Sequence, residues 1–239
     1  MASLSLMRVA FESRLHDLIH AHDARSHTLA ALIPGARLIV SRRVAFPVKS
    51  RWKYTRAGRY IAVSEHVKSV LTAAGIAPEK IDVVYDGVPL LERPPGDEVL
   101  APASDDPQKG AELAREAAAL AGVELKFCHK LQHELRRRAI FLYLTHSEGL
   151  GSGALLAMSA GAAVIASNVG GLPEAIRQRE NGLLVPNEPA AIAGAIRELR
   201  ADPALVRRLG EAARRTIEEG FTVDSMVRRT MEIYNQVLT

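Results

Sequence analysis

The chain has 239 residues, 48% of them apolar and only 5% aromatic, with a net charge of +4, which is enough for one large or two small domains with an ample core. Its single cysteine, Cys128, excludes an internal disulfide and fits a reducing compartment. No stretch reaches the roughly 20 apolar residues that a membrane helix needs; the nearest, residues 154–166, is broken by Ser159 and Gly161.

The opening MASLSLMRVAFESRLHD lacks both a basic region and a sufficient apolar core for a leader, so a cytoplasmic protein is expected. Residues 17–22 (DLIHAH) then read as a first strand. ARSHTLAAL follows as a helix that ends at Pro34 and Gly35, and residues 36–41 (ARLIVS) as a second strand. Residues 60–64 (YIAVS) form a third strand running into a helix, SEHVKSVLTAAG, with Ser64 as N-cap and Gly75 closing it. KIDVVY, residues 80–85, is the fourth. Strands alternating with helices predict parallel pairing in an α/β layer architecture.

Residues 91–98 (LERPPGDE) interrupt that alternation with two prolines, a glycine and charges, and read as a linker. A strand over 99–103, the turn SDDPQKG, the helix GAELAREAAALAG and a strand over 123–127 come next. Lys109 falls where the loop hands over to the helix, which puts an ammonium at the ligand-binding end of a parallel sheet.

Residues 141–174, FLYLTHSEGLGSGALLAMSAGAAVIASNVGGLPE, read as strand, glycine turn, helix, strand and glycine loop. Such a turn aims unpaired N–H groups and the positive end of a helix dipole at its occupant, and its glycines let a phosphate approach the main chain. Helices follow around Asp202 and Pro203. FTVDSMVRRTMEIYNQVL closes the chain as an amphipathic helix, with Val223, Met226, Val227, Met231, Tyr234 and Val237 as its packing stripe.

SEGLG, LLAMSAG, VIAS, GGLPE and NGLLVP, in that order and at ordinary separations, resemble the donor half of family 4 glycosyltransferases; HDLIHAHDARSH, YIAVSEHVKSVL and IDVVYDGVP resemble their acceptor half. The resemblance implies a GT-B fold: two Rossmann-like, doubly wound parallel-sheet domains facing a cleft, the amino-terminal one incomplete. It divides the chain into an acceptor-side domain (1–90), the linker, a donor domain (99–222) and a terminal helix (223–239) crossing back to the first domain. A partner chain or second copy would cover the shortened sheet.

The implied activity is retaining transfer of a sugar from a nucleotide-diphosphate donor to an acceptor hydroxyl, with cell-envelope or surface glycans as the setting. By resemblance Glu148 contacts the donor sugar, and His22 lies near the cleft. The turn residues Gly149, Leu150, Gly151 and Ser152, with Lys109, hold the diphosphate, while Gly170, Gly171 and Glu174 shape the donor cleft. Read as residues alone, Glu148 is equally a carboxylate favouring a helix dipole, and His20 and His22 are two half-buried strand neighbours sharing a face. Three departures stand out: Ala103 replaces the arginine of a basic pair, Leu156 the glutamate that grips the ribose, and Asp86 an asparagine.

Between the second and third strands, Arg42, Arg43, Lys49, Arg51, Lys53, Arg56 and Arg59 occur without an acid over residues 42–59. This run reads either as a solvated loop or as a strip for an anionic acceptor or the inner face of an anionic membrane. Nucleic acid ranks behind both, for want of any recognition motif. No Cys, His or acidic spacing suggests a metal, and no cofactor beyond the donor itself is expected. Two other readings remain at this stage: a relative that binds nucleotide or a partner without turnover, and an epimerase of the same architecture.

Overall fold

The computed structural model describes residues 16–48 and 51–239; the opening stretch and Lys49 lie outside them. The chain divides into two units. One holds the described residues up to Tyr85 together with Met226–Thr239; the other is Asp86–Ser225.

The first unit carries a four-stranded parallel sheet in the order β1-β2-β3-β4, with β1 Ile19–Ala21, β2 Leu38–Arg42, β3 Arg59–Ala62 and β4 Ile81–Val83. Helix α1 (Ala24–Ala30) joins β1 to β2, and α2 (Glu65–Ala73) joins β3 to β4. The first strand is shorter than its sequence pattern predicts. Asp23 caps α1 through a reciprocal capping box with Ser26, which takes His22 out of the sheet. Ser64 does cap α2, accepting from Val67 N–H at 3.0 Å.

The second unit carries five parallel strands in the order β6-β5-β7-β8-β9: β5 Val99–Pro102, β6 Leu125–Cys128, β7 Ile140–Tyr143, β8 Ala163–Ser167 and β9 Leu183–Val185. Its helices are α3 (Ala111–Ala121), α4 (Leu131–Glu134), α5 (Ser152–Ser159), α6 (Leu172–Ala175), α7 (Pro189–Ala201) and α8 (Pro203–Gly220). Every residue of β8 is buried, as expected of a strand covered on both faces. Val99, Ile140, Leu142 and Ile165 from the sheet pack with Ile192, Ile196 and Leu209 from α7 and α8.

One local expectation fails and one strand was not foreseen, each for an identifiable reason. The segment opened by Glu174 stops after one turn because the Asn181 side chain takes the Ala175 carbonyl at 3.0 Å and the Arg177 N–H at 2.7 Å, replacing the helical ladder. NGLLVP carries β9, a three-residue strand with too little periodicity to be read in advance.

Helix α9 (Val223–Leu238) begins in the second unit, and from Met226 onward belongs to the first. Its apolar stripe splits in two. Ile233 with Met226, Tyr234 and Val237 packs on Ile39, Ile61 and Val84, whereas Val223, Val227 and Met231 are exposed.

Candidate active site

In the second sheet the chain moves from β5 out to β6, returns to β7 beside β5, and continues to β8 and β9. Loops leaving β5 and β7 therefore diverge to opposite sides, opening a crevice at their carboxyl ends, the usual ligand position in a doubly wound sheet. The β5 loop supplies Lys109 and the β7 loop Glu148. Their side chains meet with Nζ 3.0 Å from Oε2. The lysine side chain remains 40% exposed, the glutamate 14%.

Glu148 is held on three sides. Tyr143, the last residue of β7, donates its phenol to Oε2 at 2.8 Å, and the Gly149 N–H donates to Oε1 at 3.0 Å. Burial, and then the adjacent Glu148 charge, push the Tyr143 pKa well above the ordinary phenol value, so the phenol stays a neutral donor. Tyr143 was not among the residues singled out from the sequence; only its place five residues before Glu148 at a strand end marks it.

The surrounding loops are tied to one another. Thr145 donates its hydroxyl to the Gln108 carbonyl at 3.0 Å, and His146 N–H donates to the same oxygen at 2.9 Å, fixing the segment that carries Lys109. The Ser167 hydroxyl accepts from Thr145 N–H at 2.9 Å and donates to Asn187, whose amide donates back to the Thr145 carbonyl at 2.9 Å. The ends of β7, β8 and β9 are thus cross-linked by side chains that the motifs do not announce.

The glycines serve the protein's own packing. A Cβ on Gly151 (φ +97°) would lie 2.6 Å from Leu172 and 3.2 Å from the Tyr143 ring. One on Gly170 (φ +58°) would lie 2.0 Å from the Glu148 carbonyl oxygen, which also accepts from Gly171 N–H at 3.3 Å. The close approach that the sequence suggested for a phosphate is taken, at these positions, by side chains and backbone. Gly170 and Gly171 act on the site by seating Glu148.

Gly149, Leu150 and Gly151 are buried, and Ser152 is exposed at the start of α5. The first helical bond of α5 runs from Leu155 N–H to the Gly151 carbonyl, so the N–H groups before it have no acceptor within the helix. Ser152 also donates its hydroxyl to the buried Asp86 carboxylate at 2.9 Å, a link absent from the sequence reading. Glu174 sits in the single turn of α6, its N–H on the Gly171 carbonyl. Leu156 is buried among the apolar residues of α5.

His20 and His22 belong to the first unit. His20 bonds Tyr234 through Nδ1 at 2.6 Å and Ser41 through Nε2 at 2.8 Å, and its ring centroid lies 3.9 Å from that of His22. The two do share a face. Burial, and then the nearby His22, lower the His20 pKa to about 4. His22 is exposed beyond the end of β1.

The basic run on the same unit is less free than its sequence suggests. The Arg42 guanidinium binds the Val44 and Phe46 carbonyls and Tyr54 OH, Lys53 binds Ala24 O and Thr28, and Arg59 pairs with Asp82. Phe46 and Trp52 between them stay 57% and 45% exposed.

Two family models cover most of the chain: glycosyl transferases group 1 over residues 99–216 and glycosyltransferase family 4 over residues 2–91. An alpha-maltose-1-phosphate synthase of Mycolicibacterium smegmatis is 34% identical over 152 residues, 57% of this chain and 39% of that protein. A D-inositol 3-phosphate glycosyltransferase of Streptomyces bingchenggensis is 36% identical over 104 residues, 43% of this chain and 23% of that one. The chain thus spans less than half the length of these curated relatives. Among solved structures, Anabaena HepE in complex with UDP and glucose superimposes with a TM-score of 0.84 at 17% identity, covering 97% of this chain and 81% of that one. A Rickettsia africae glycosyltransferase matches with a TM-score of 0.76 at 20% identity, over 100% of this chain and 80% of that one. With both sheets parallel, both models matched and the fold shared, the chain belongs to the glycosyltransferases of the GT-B fold.

Proposed function

We propose that the chain transfers a glycosyl group from a nucleoside-diphosphate sugar to an acceptor hydroxyl with retention at the anomeric carbon, in the assembly of cell-envelope or other surface glycans. The observation that carries this reading is the meeting of Lys109 and Glu148 at the crevice between the β5 and β7 loops. Electrostatic stabilisation of the departing diphosphate is the largest demand of such a reaction. Lys109 and the first-turn amides of α5, which have no acceptor within the helix, would supply it, while Glu148, oriented by Tyr143, would bind hydroxyls of the donor sugar. The HepE structures with UDP and UDP-glucose make uridine nucleotides the first donors to test.

In this proposal the second unit is the donor side and the first the acceptor side. Exposed Phe46 and Trp52 beside the basic run suit peripheral contact with an anionic inner membrane surface. Co-sedimentation with anionic but not neutral vesicles, lost in a Phe46→Ala, Trp52→Ala variant, tests that contact.

A second reading, nucleotide binding without turnover, is favoured by the charge around the turn. Asp86 and Glu148 set two carboxylates there against one ammonium, and Leu156 offers no hydrogen bond to a ribose. Release of UDP from a panel of uridine sugars separates the two. Turnover is expected, falling roughly 10²–10³-fold in Lys109→Ala and in Glu148→Ala. UDP binding by the wild-type chain with no release from any donor, or from guanosine and adenosine equivalents, would leave the second reading in place.

A further inference from the structure

At the opposite end of the second sheet, where β5 and β7 begin, lies a cavity of about 480 Å³. Its floor is apolar, formed by Ile140, Leu199 and Val206, and its rim carries Arg138, Arg200 and Arg207. A smaller cavity of about 210 Å³ adjoins it, sharing Arg138 and Arg207 and adding Arg93 and Arg137. The acids in these linings are Asp97, Glu92 and Glu211; Glu92 is committed to Arg214, and Arg200 is held on the Asp97 carbonyl at 2.8 Å. Among the described residues, Arg137, Arg138 and Arg207 form no ion pair; the Nε of Arg93 is buried with no hydrogen-bond acceptor, and Oε2 of Glu98, near the lining residue Gly96, is buried with no donor. A buried donor left without a partner points to an acceptor from outside the chain.

Backbone conformation supplies an independent observation. Among the described residues only Arg138 and Arg179 are non-glycine residues at positive φ. Arg179 uses its side chain in a pair with Glu198, whereas Arg138, at φ +67°, is held in the left-handed region with its guanidinium unpaired on the cavity wall. Glycine would relieve that backbone at no steric cost, so local structure gives no reason for arginine there.

We infer that the joined cavities bind a small phosphate monoester, its phosphate on the unpaired guanidinium groups and its uncharged body over the Ile140, Leu199 and Val206 floor. Several guanidinium forks exceed what a single carboxylate can satisfy and match a dianionic phosphate bidentately. A concave site of this volume is of small-molecule size. The site lies across the sheet from Lys109 and Glu148 and does not depend on their role. Strand β7 joins the two directly, since it begins two residues after Arg138 and ends at Tyr143, which orients Glu148.

Calorimetric titration with glucose 6-phosphate as the probe tests this on the full chain. Binding is expected in the wild type and, unchanged, in Lys109→Ala, with at least a tenfold loss in the Arg138→Gly, Arg207→Gln double variant. Inorganic phosphate should bind at least tenfold more weakly than the ester, and unphosphorylated glucose not at all. Arg138→Gly alone should keep or raise the melting temperature while weakening the probe, which a merely structural arginine would not do. No heat of binding in the wild type overturns the inference. Binding that survives the arginine double variant but disappears in Lys109→Ala overturns it equally, by assigning the probe to the other end of the sheet.

Discussion

Both sheets carry polar residues at the carboxyl ends of their parallel strands, yet these two clusters treat charge in opposite ways. In the second, Lys109 and Glu148 meet as an ion pair, and neutral groups are arranged around them: Tyr143, Thr145, Ser167 and Asn187 hold the loops in register. In the first, His20 is driven neutral by burial and locked between Ser41 and Tyr234. A preorganised ionic crevice suits a charged ligand, because its dipoles need no reorganisation when the ligand arrives. A neutral imidazole between two hydroxyls suits positioning, since it can give and accept one hydrogen bond at a time.

The chain offers one reporter for each region. Trp52 is the sole tryptophan and lies in the first unit; Cys128 is the sole cysteine and lies at the end of β6 in the second. Burial pushes the Cys128 thiol up to about 11, so at neutral pH it is a protonated, inaccessible group that reacts only when the second unit opens.

The largest effect is expected from Gly170→Ala. Its methyl would meet the Glu148 carbonyl oxygen at 2.0 Å from a backbone at φ +58°, where alanine is strained. Strain and overpacking together should cost roughly 2–5 kcal/mol. Because the oxygen belongs to Glu148, donor turnover should fall at least as far as in Glu148→Ala. Cys128 should become reactive at lower denaturant while the Trp52 fluorescence transition stays where it was. Equal shifts of both transitions would show that the two regions do not respond separately.

Acid should act on the other region. His20 and His27 both have pKa values lowered from 6.5 to about 4, burial being the first cause in each case. Between those values the unfolded chain binds protons that the folded chain refuses, so the stability due to these residues is complete above pH 6.5 and is lost as pH falls towards 4. Allowing for partial solvent exposure of His20, the loss is about 1–2 kcal/mol per histidine. Urea unfolding followed by Trp52 from pH 7 to pH 4.5 measures it. His27→Phe should remove roughly half of the pH dependence, and a flat midpoint across that range would refute the assignment.

The difference between the regions also explains what could be read in advance. The glycine turn of residues 149–152 is legible because its constraints are short-range: Gly151 is dictated by Tyr143 and Leu172 within about one βα unit, and Ser64 caps the helix that follows it directly. Such local rules leave marks in residue type and spacing. The partners of His20 include Tyr234, 214 positions away, and no spacing rule reaches that far. The same limit hid Asn187 beneath Thr145 and Asp86 beneath Ser152, and let the α9 stripe be read as one surface when only half of it packs. Strand β9 escaped notice for a different reason, since three residues are too few to display a period.

The smallest predicted effect is the sharpest test of the ionic region. Asp86 accepts the Ser152 hydroxyl at the positive end of the α5 dipole, placing a buried carboxylate beside the position proposed for a diphosphate. Asp86→Asn preserves an oxygen acceptor for Ser152 and removes the negative charge. A carboxylate at a helix N-terminus is worth about 0.3–1 kcal/mol to the helix, so its loss should lower the melting temperature slightly. The same charge opposes an incoming diphosphate, and the variant should bind UDP about two- to fivefold more tightly. The two consequences have opposite signs: the apo chain becomes less stable as the nucleotide becomes better bound. Calorimetry with UDP on the variant, alongside its unliganded melting curve, distinguishes this from a general repacking, which would weaken both together. Weaker UDP binding in Asp86→Asn would place the diphosphate away from the α5 terminus.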